Sequence, residues 1–430
     1  MRLALLTLFT LTACDPGASS TDGGPTTDAG AVVDGGATPT RLTGTGNAVL
    51  AQHGKFLVAG GDLKGGGDSD FQVGRLFADG GVDTSFGANG KVTLSWPPYI
   101  NPVVADAGFV IEQKTDTAYA LLLQGDKIVV GGTVQSQGDM SGFFGLARFS
   151  ADGVVDPTFG TEGRAQVVLG FGGPAHALAA RSDGKLYAAG FVTRGMPGTN
   201  GTNFGIARFS ADGAFDPSFG GAMGVQADFG KNEDARGIVF QGLKVLVGGG
   251  DDFIVARYQD DGALDATFGT AGVATSPGGF ANSFKALPSG ALLLSGSVRD
   301  GSLASWTIKL VRYTADGQLD AAFGTGGVVM APFDNQQTST FGLEVMSDGR
   351  IVIVTQAVGM FASVARFSAA GAVDTSFGGA GIRQLEVPLP LLAGMYPPSA
   401  NQVTLVGNTL YAINTNTTGQ VFVLFRSTAL

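Results

Sequence analysis

The 430-residue chain has one cysteine, Cys14, and two histidines, His53 and His176. A single cysteine excludes an intrachain disulfide and any Cys-based metal or redox centre. The two histidines stand at unlike places in the sequence, so they cannot form a repeated ligand set, and each reads as a packed or hydrogen-bonded structural residue. Charged residues make up only 14% of the chain, with 36 Asp and Glu against 26 Lys and Arg. A formal charge of −10 and the lack of a basic patch argue against nucleic acid as a partner. The glycine clusters Gly65-Gly66-Gly67 and Gly248-Gly249-Gly250 lack the Lys-Ser/Thr and the helix that a phosphate loop needs. No run is apolar for long enough to span a bilayer, and no segment shows a convincing helical period. No metal and no cofactor is expected, and two histidines leave no compelling Ser-His-Asp set.

What the chain has in quantity is glycine, 70 residues of it, alternating with short apolar segments. That pattern reads as tight turns joining short strands rather than as disorder. Six times an arginine is followed by Gly at five residues, Asp at eight and Phe-Gly at eleven and twelve. The arginines are Arg75, Arg148, Arg208, Arg257, Arg312 and Arg366. The aspartates are Asp83, Asp156, Asp216, Asp265, Asp320 and Asp374, and the phenylalanines Phe86, Phe159, Phe219, Phe268, Phe323 and Phe377. Spacing inside the motif never changes, while successive copies are 73, 60, 49, 55 and 54 residues apart. Repetition at this length means an array of supersecondary units stacked into one body.

Within one copy the pattern gives four short strands. Ala165–Leu169 is strand a and Ala175–Ala180 strand b. Leu186–Gly190, after an Asp-Gly turn, is strand c, and Phe204–Phe209 is strand d. The motif Ala211–Gly220 then carries the chain to the strand a of the next copy. Four antiparallel strands in 50 to 60 residues describe a propeller blade. The fold class is therefore all-β, a single β-propeller over residues 42–430. Counting b–c hairpins gives seven blades, with six or eight as the alternatives. Leu42–Thr45 is the candidate for the first strand a, and the last copy, ending at Arg426, lacks its Asp-Phe-Gly half.

A residue present in every blade builds blades. The aspartate is placed to cap a turn, the phenylalanine to pack between neighbouring blades, and the arginine to tie the turn back through Asp or a carbonyl. The alternative for the arginines is a ring around the central channel that binds an anion. The aspartate spacing matches no calcium loop.

Arg148-Phe-Ser-Ala-Asp-Gly-Val-Val-Asp-Pro-Thr-Phe-Gly160 and its five counterparts resemble the delta-60 repeat family of bacterial secreted proteins, whose repeats are taken to form β-propellers. The resemblance covers about nine-tenths of the chain. It implies a fold and carries no catalytic residues. Ala370 departs from it, standing where the other five copies have Asp.

The N-terminus resembles a bacterial lipoprotein signal peptide. Arg2 precedes an apolar run from Leu3, and Leu11-Thr12-Ala13-Cys14 matches the lipobox. The resemblance implies removal of residues 1–13 and acylation of Cys14, whose thiol accepts the lipid. Residues 14–41 then form a flexible, membrane-anchored tether rich in Gly, Ala, Thr, Asp, Ser and Pro, with an rms reach of about 30 Å. The expected location is the cell envelope, at the outer membrane or cell surface ahead of the inner membrane. Asp15 is a retention signal in some bacteria only.

In an antiparallel blade the a–b and c–d loops share one face, and the b–c and d–a turns the other. The a–b and c–d loops vary in length, the longest being Ser95–Thr117. Trp96, Tyr99, Glu112 and Trp306 are the candidate binding residues on this variable face, because specificity lives in loops on a rigid scaffold. The adjacent acids Glu112 and Asp116, or Glu233 and Asp234, could act on a glycan, although acids in loops are usually solvated. The leading expectation is a non-enzymatic, lipid-anchored binding scaffold for an unknown protein or polysaccharide. A glycan hydrolase or lyase comes next, and a purely structural envelope protein third.

Overall fold

The computed structural model describes residues 42–65, 68–96, 115–135, 142–170, 172–195, 201–299, 306–331, 339–356, 362–378, 380–384, 403–415 and 422–427. The signal, Cys14 and the tether lie outside the described residues, as do Tyr99 and Glu112. Among the described residues there is no helix. The strands fall into seven consecutive antiparallel units.

The first unit is β1 (Thr45–Gln52), β2 (Lys55–Gly65), β3 (Asp68–Leu76) and β4 (Lys91–Leu94). The second is β5 (Thr117–Gln124), β6 (Lys127–Gln135), β7 (Gly142–Phe149) and β8 (Arg164–Val167). The third is β9 (Ala175–Ala180), β10 (Leu186–Thr193), β11 (Thr202–Phe209) and β12 (Val225–Ala227). The fourth is β13 (Ala235–Gln241), β14 (Lys244–Asp251), β15 (Ile254–Tyr258) and β16 (Val273–Ala274). The fifth is β17 (Phe280–Ala286), β18 (Leu292–Arg299), β19 (Trp306–Tyr313) and β20 (Val328–Ala331). The sixth is β21 (Ser339–Val345), β22 (Ile351–Gln356), β23 (Ala362–Phe367) and β24 (Ile382–Gln384). The last has three described strands, β25 (Val403–Val406), β26 (Thr409–Thr415) and β27 (Phe422–Ser427). Two ladder pairs, Gly250↔Ala281 and Asp251↔Phe280, join the fourth and fifth units into one sheet.

The first strand of each unit is the innermost. β1, β5, β9, β13, β17, β21 and β25 stand side by side in that order, and β25 lies against β1 to close the ring. Phe56 and Tyr411 seal the closure with ring centroids 4.0 Å apart. The hydrophobic core sits between sheets, as a series of clusters each shared by two neighbouring units.

One expectation from the sequence is corrected. The short strand after each motif does not open the next blade. It pairs back with strand d of its own copy as the outermost strand, Val92↔Val73 in the first unit and Ala165↔Leu146 in the second. The motif itself forces this. Asp83 N donates to Arg75 O, Phe86 N to Asp83 O, and Gly90 N to Phe86 O, so the chain reverses and runs back along β3. Leu42–Gly44 likewise form no strand, and Leu42 is buried against Val49, Phe56, Leu76 and Tyr411.

Each of the six motifs forms a clamp, and the first five reach across to the next unit. In each, arginine Nε donates to its own motif aspartate at 2.6–2.8 Å. Its guanidinium lies over the motif phenylalanine, 4.5–5.1 Å from the ring centre. In the first five copies Nη1 crosses to the next unit and donates to a carbonyl of its motif turn, as Arg75 does to Ala151 O at 2.7 Å. The N–H of the motif Phe-Gly crosses too, Gly160 N to Asp212 O at 2.6 Å for example. The glycine five residues after the arginine is required by this crossing. Gly213 sits at φ 84°, and a Cβ there would come within 2.8 Å of the Phe159 ring. The arginines thus lie between sheets, on third strands, and do not ring the channel.

Candidate functional site

Antiparallel alternation puts the start of every inner strand at the end that carries the variable loops. In six inner strands the ladder slips by one residue there, a β-bulge whose extra residue is Asn47, Tyr119, His176, Arg236, Asn282 or Phe341. A bulge re-aims a side chain out of the pleat, and here five of them reach the next unit. Asn47 Nδ2 donates to Ala118 O at 2.9 Å, and Tyr119 meets the His176 ring edge-on with centroids 5.1 Å apart. His176 Nδ1 lies 2.8 Å from Asp234 Oδ1, the Arg236 guanidinium 5.8 Å over the Phe280 ring, and Asn282 Nδ2 3.4 Å from Thr340 Oγ1. Together these side chains form a polar collar around the axis at the variable-loop end.

Among the described residues, His176 and Arg236 of the collar meet on one carboxylate, Asp234, between the third and fourth units. Asp234, 6% exposed, is held by His176 on Oδ1 and by Arg236 Nη2 on Oδ2 at 2.6 Å. Burial pushes this carboxyl up, but the charges of His176 and Arg236 outweigh it and hold it below the ordinary value. A carboxylate only accepts, so Nδ1 of His176 donates this hydrogen bond, and in the neutral ring Nε2 carries the lone pair. Next to Asp234, Glu233 is fully buried. It accepts from Arg194 Nη2 at 2.8 Å and from the N–H groups of Phe229 and Lys231 at 3.0 and 2.9 Å. Burial raises its affinity for a proton, against the pull of those donors. Burial also raises the Tyr119 hydroxyl. A third device sits beside them in the fifth unit. Buried Lys309 donates to the carbonyls of Ser276, Pro277 and Gly278 at 2.9, 2.7 and 3.0 Å, pinning that loop.

These positions alter several sequence expectations. Trp96 lies in the core and not on the surface of the variable face: it is 3% exposed and packs edge-on to Phe71, between the first two units. The apolar ring is worth more buried between sheets than at the rim. Trp306 is at the predicted end, half-buried as the first residue of β19, with Arg299 5.7 Å over its ring. Asp116, Glu233 and Asp234 are not solvated loop acids. Asp116 is fully buried, its Oδ1 accepting from Gln135 N at 3.0 Å and its carbonyl from Ser69 Oγ at 3.1 Å, which ties the first unit to the second. His176 is hydrogen-bonded as expected, whereas His53 lies exposed in the β1–β2 turn. The collar residues escaped the sequence reading because a bulge leaves no mark in an alternating pattern. The one available signal was polar residues at the second or third place of strand b.

No curated protein matches the chain. Several solved structures align with it at low similarity. A puromycin hydrolase is 13% identical with a TM-score of 0.45, over 87% of this chain and 50% of its own, so this chain spans about half that protein's length. The β-propeller domain of the Trilobed protease from Pyrococcus furiosus is 9% identical with a TM-score of 0.42, over 90% of this chain and 95% of its own. The polysaccharide lyase Uly1 is 11% identical with a TM-score of 0.45, over 89% of each chain. Residues 54–86, 124–159, 181–219, 244–268 and 287–323 match the family described as "Domain of unknown function (DUF5122) beta-propeller", and the chain is a β-propeller.

Proposed function

We propose that this chain is a cell-envelope binding scaffold, a delta-60-type lipoprotein of seven blades held at the membrane by acylated Cys14. Its ligand, a protein or polysaccharide, docks on the variable-loop end over the polar collar. The observation that carries the reading is a break in symmetry. Everything else in the motif recurs blade after blade, but His176, Asp234, Arg236, Glu233 and Arg194 gather once, at the loop end of the third and fourth units. Buried charge is costly unless paired, and nothing in the repeat requires it here.

The test is binding of a panel of soluble polysaccharides and of detergent-extracted envelope proteins to the full chain and to Tyr119→Ala and Asn282→Ala. Both variants change collar side chains that are half-buried. Affinity should fall about tenfold or more in each for the ligand that scores, with the unfolding midpoint near that of the parent. Undiminished binding in both variants would sink the collar as the site. Protease shaving of intact cells decides the location: removal of the propeller supports surface exposure, and survival until the outer membrane is opened refutes it.

One observation favours a second reading, a glycan hydrolase or lyase. Asp234 accepts from Nδ1 of His176, so in the neutral ring Nε2 is the acceptor that a general base needs. Under this reading His176→Asn abolishes polysaccharide cleavage measured by new reducing ends, while Tyr119→Ala alone leaves turnover.

A further inference from the structure

Opposite Leu57, Val129, Tyr187 and Leu246, in the second strands of the first four units, stand Leu50, Leu122, Ala179 and Val239 of the inner strands. Leu50, Leu122 and Val239 pack against the core shared with the next unit. The fifth and sixth units put Lys285 and Glu344 in this apolar place, opposite Leu293 and Val352. Two residues further along, on the same face, the order is inverted. The first four units have Gln52, Gln124, Arg181 and Gln241 there, and the fifth and sixth have Leu287 and Met346. Two of those polar residues serve the clamps: Gln124 Oε1 accepts from Arg148 Nη1 at 2.8 Å, and Gln241 Oε1 from Arg257 Nη1 at 3.0 Å. Lys285 and Glu344 pair with each other instead. Nζ donates to Oε2 at 2.6 Å, and among the described residues Nζ has no other acceptor and Oε1 no donor. The Glu344 side chain is 14% exposed, and burial raises its affinity for a proton against the pull of Lys285. The fold does not require this pair, since four other units fill the same place with apolar side chains, and burying charge is costly.

A cavity of about 360 Å³ lies at this exchange, between the fifth and sixth units at the end of the ring opposite the collar. Lys285 and Glu344 line it together with Leu287, Pro288, Val345 and Met346. We propose that the cavity binds one neutral sugar residue through a vicinal diol. The ion pair is balanced, so an anion drawn to Lys285 is repelled by Glu344, and a cation the reverse. A hydroxyl both donates and accepts, so two on neighbouring carbons meet both unused groups: one accepts from Nζ and the other donates to Oε1. Hydrogen bonds to charged partners are the stronger kind. The C–H face of the sugar ring lies on the apolar side chains. The volume is at the small end for ligand cavities, which run from about 300 to 1,000 Å³, and suits one residue rather than a chain. This site does not depend on the collar's function.

The probes are methyl glucoside, methyl galactoside and methyl mannoside, titrated against the full chain and followed by saturation-transfer NMR, with glucuronate and glucosamine as charged controls. Saturable, millimolar binding of at least one neutral probe is expected. Lys285→Val combined with Glu344→Leu restores the apolar place of the other units. That variant should melt no lower than the parent and bind the sugar about tenfold more weakly or not at all. Glu344→Gln keeps the shape, removes the charge and should weaken binding in the same direction, so it decides if the double variant folds poorly. Tyr119→Ala at the collar should leave this binding unchanged, which separates it from any ligand held there. Equal affinity for the preferred sugar at the end of a trisaccharide identifies a glycan terminus as the source, and binding of the methyl glycoside alone a free sugar. No saturation by any neutral probe, undiminished binding in the variants, or tighter binding of a charged control overturns the proposal.

Discussion

Phe219→Ala is expected to destabilise the protein by about 3–5 kcal/mol, as truncation of large buried side chains does. Phe219 is fully buried. Its ring meets Tyr187 edge-on with centroids 5.5 Å apart and lies beneath the Arg208 guanidinium at 5.1 Å. Arg208 is itself 1% exposed and crosses to Asp260 O in the next unit at 2.6 Å. Removing the ring therefore opens a cavity, strips a buried cation of its π-face and loosens the contact between the third and fourth units. In an array where each unit touches only its neighbours, such damage weakens one junction directly. Denaturant melts monitored by circular dichroism measure it, and a loss under about 1 kcal/mol would show that the clamp is not part of the core.

Acidification should unfold the protein steeply below about pH 4. Burial pushes Asp83, Asp156 and Asp216 up, but bonds from Lys, Ser, Thr and Arg partners overcome it and hold them far below the ordinary value of 3.8. At Asp265 the bond from Lys244 is the largest effect, and at Asp374 the bond from Ser376, both downward. Each carboxylate binds a proton more weakly folded than unfolded. Its stabilisation is complete above 3.8 and is lost as pH falls below that value, where the unfolded chain takes up protons first. Glu233 and Glu344 are raised by burial and work the other way, gaining stability as pH falls through their folded values. Two such groups are outnumbered by five clamp aspartates. Denaturation free energies from pH 7 to pH 2 should therefore stay nearly level to about pH 4 and then drop, with net proton uptake on unfolding. A level curve down to pH 2 would mean that the clamp carboxylates are not linked to folding.

The clamps are legible in the sequence because their spacing is invariant and their chemistry is local. Arg and Asp stand eight residues apart, at the two ends of one tight reversal. Which sheet the following strand joins was not legible. An a–b–c–d order and a b–c–d–a order share one sequence, and only the reversal at Phe86-Gly87 sends β4 back onto β3. Trp96 was misread for a related reason. A tryptophan just past a strand end looks like a rim residue until Val134 and Gly145 of the next unit are seen to enclose it.

The sequence by itself determined the strands, the turns, the repeat and the residues of each clamp, because hydrophobic alternation, glycine conformation and fixed spacing act within a few residues of one another. Only the tertiary structure decided what faces what across the units. His176 and Asp234 are 58 residues apart, as far as two clamps are from each other, and meet because a bulge on one inner strand points its side chain at the next. The turn at Gly80 is likewise one of six equal turns in the sequence, and among the described residues it alone of the six has no neighbour's phenylalanine or glycine against it.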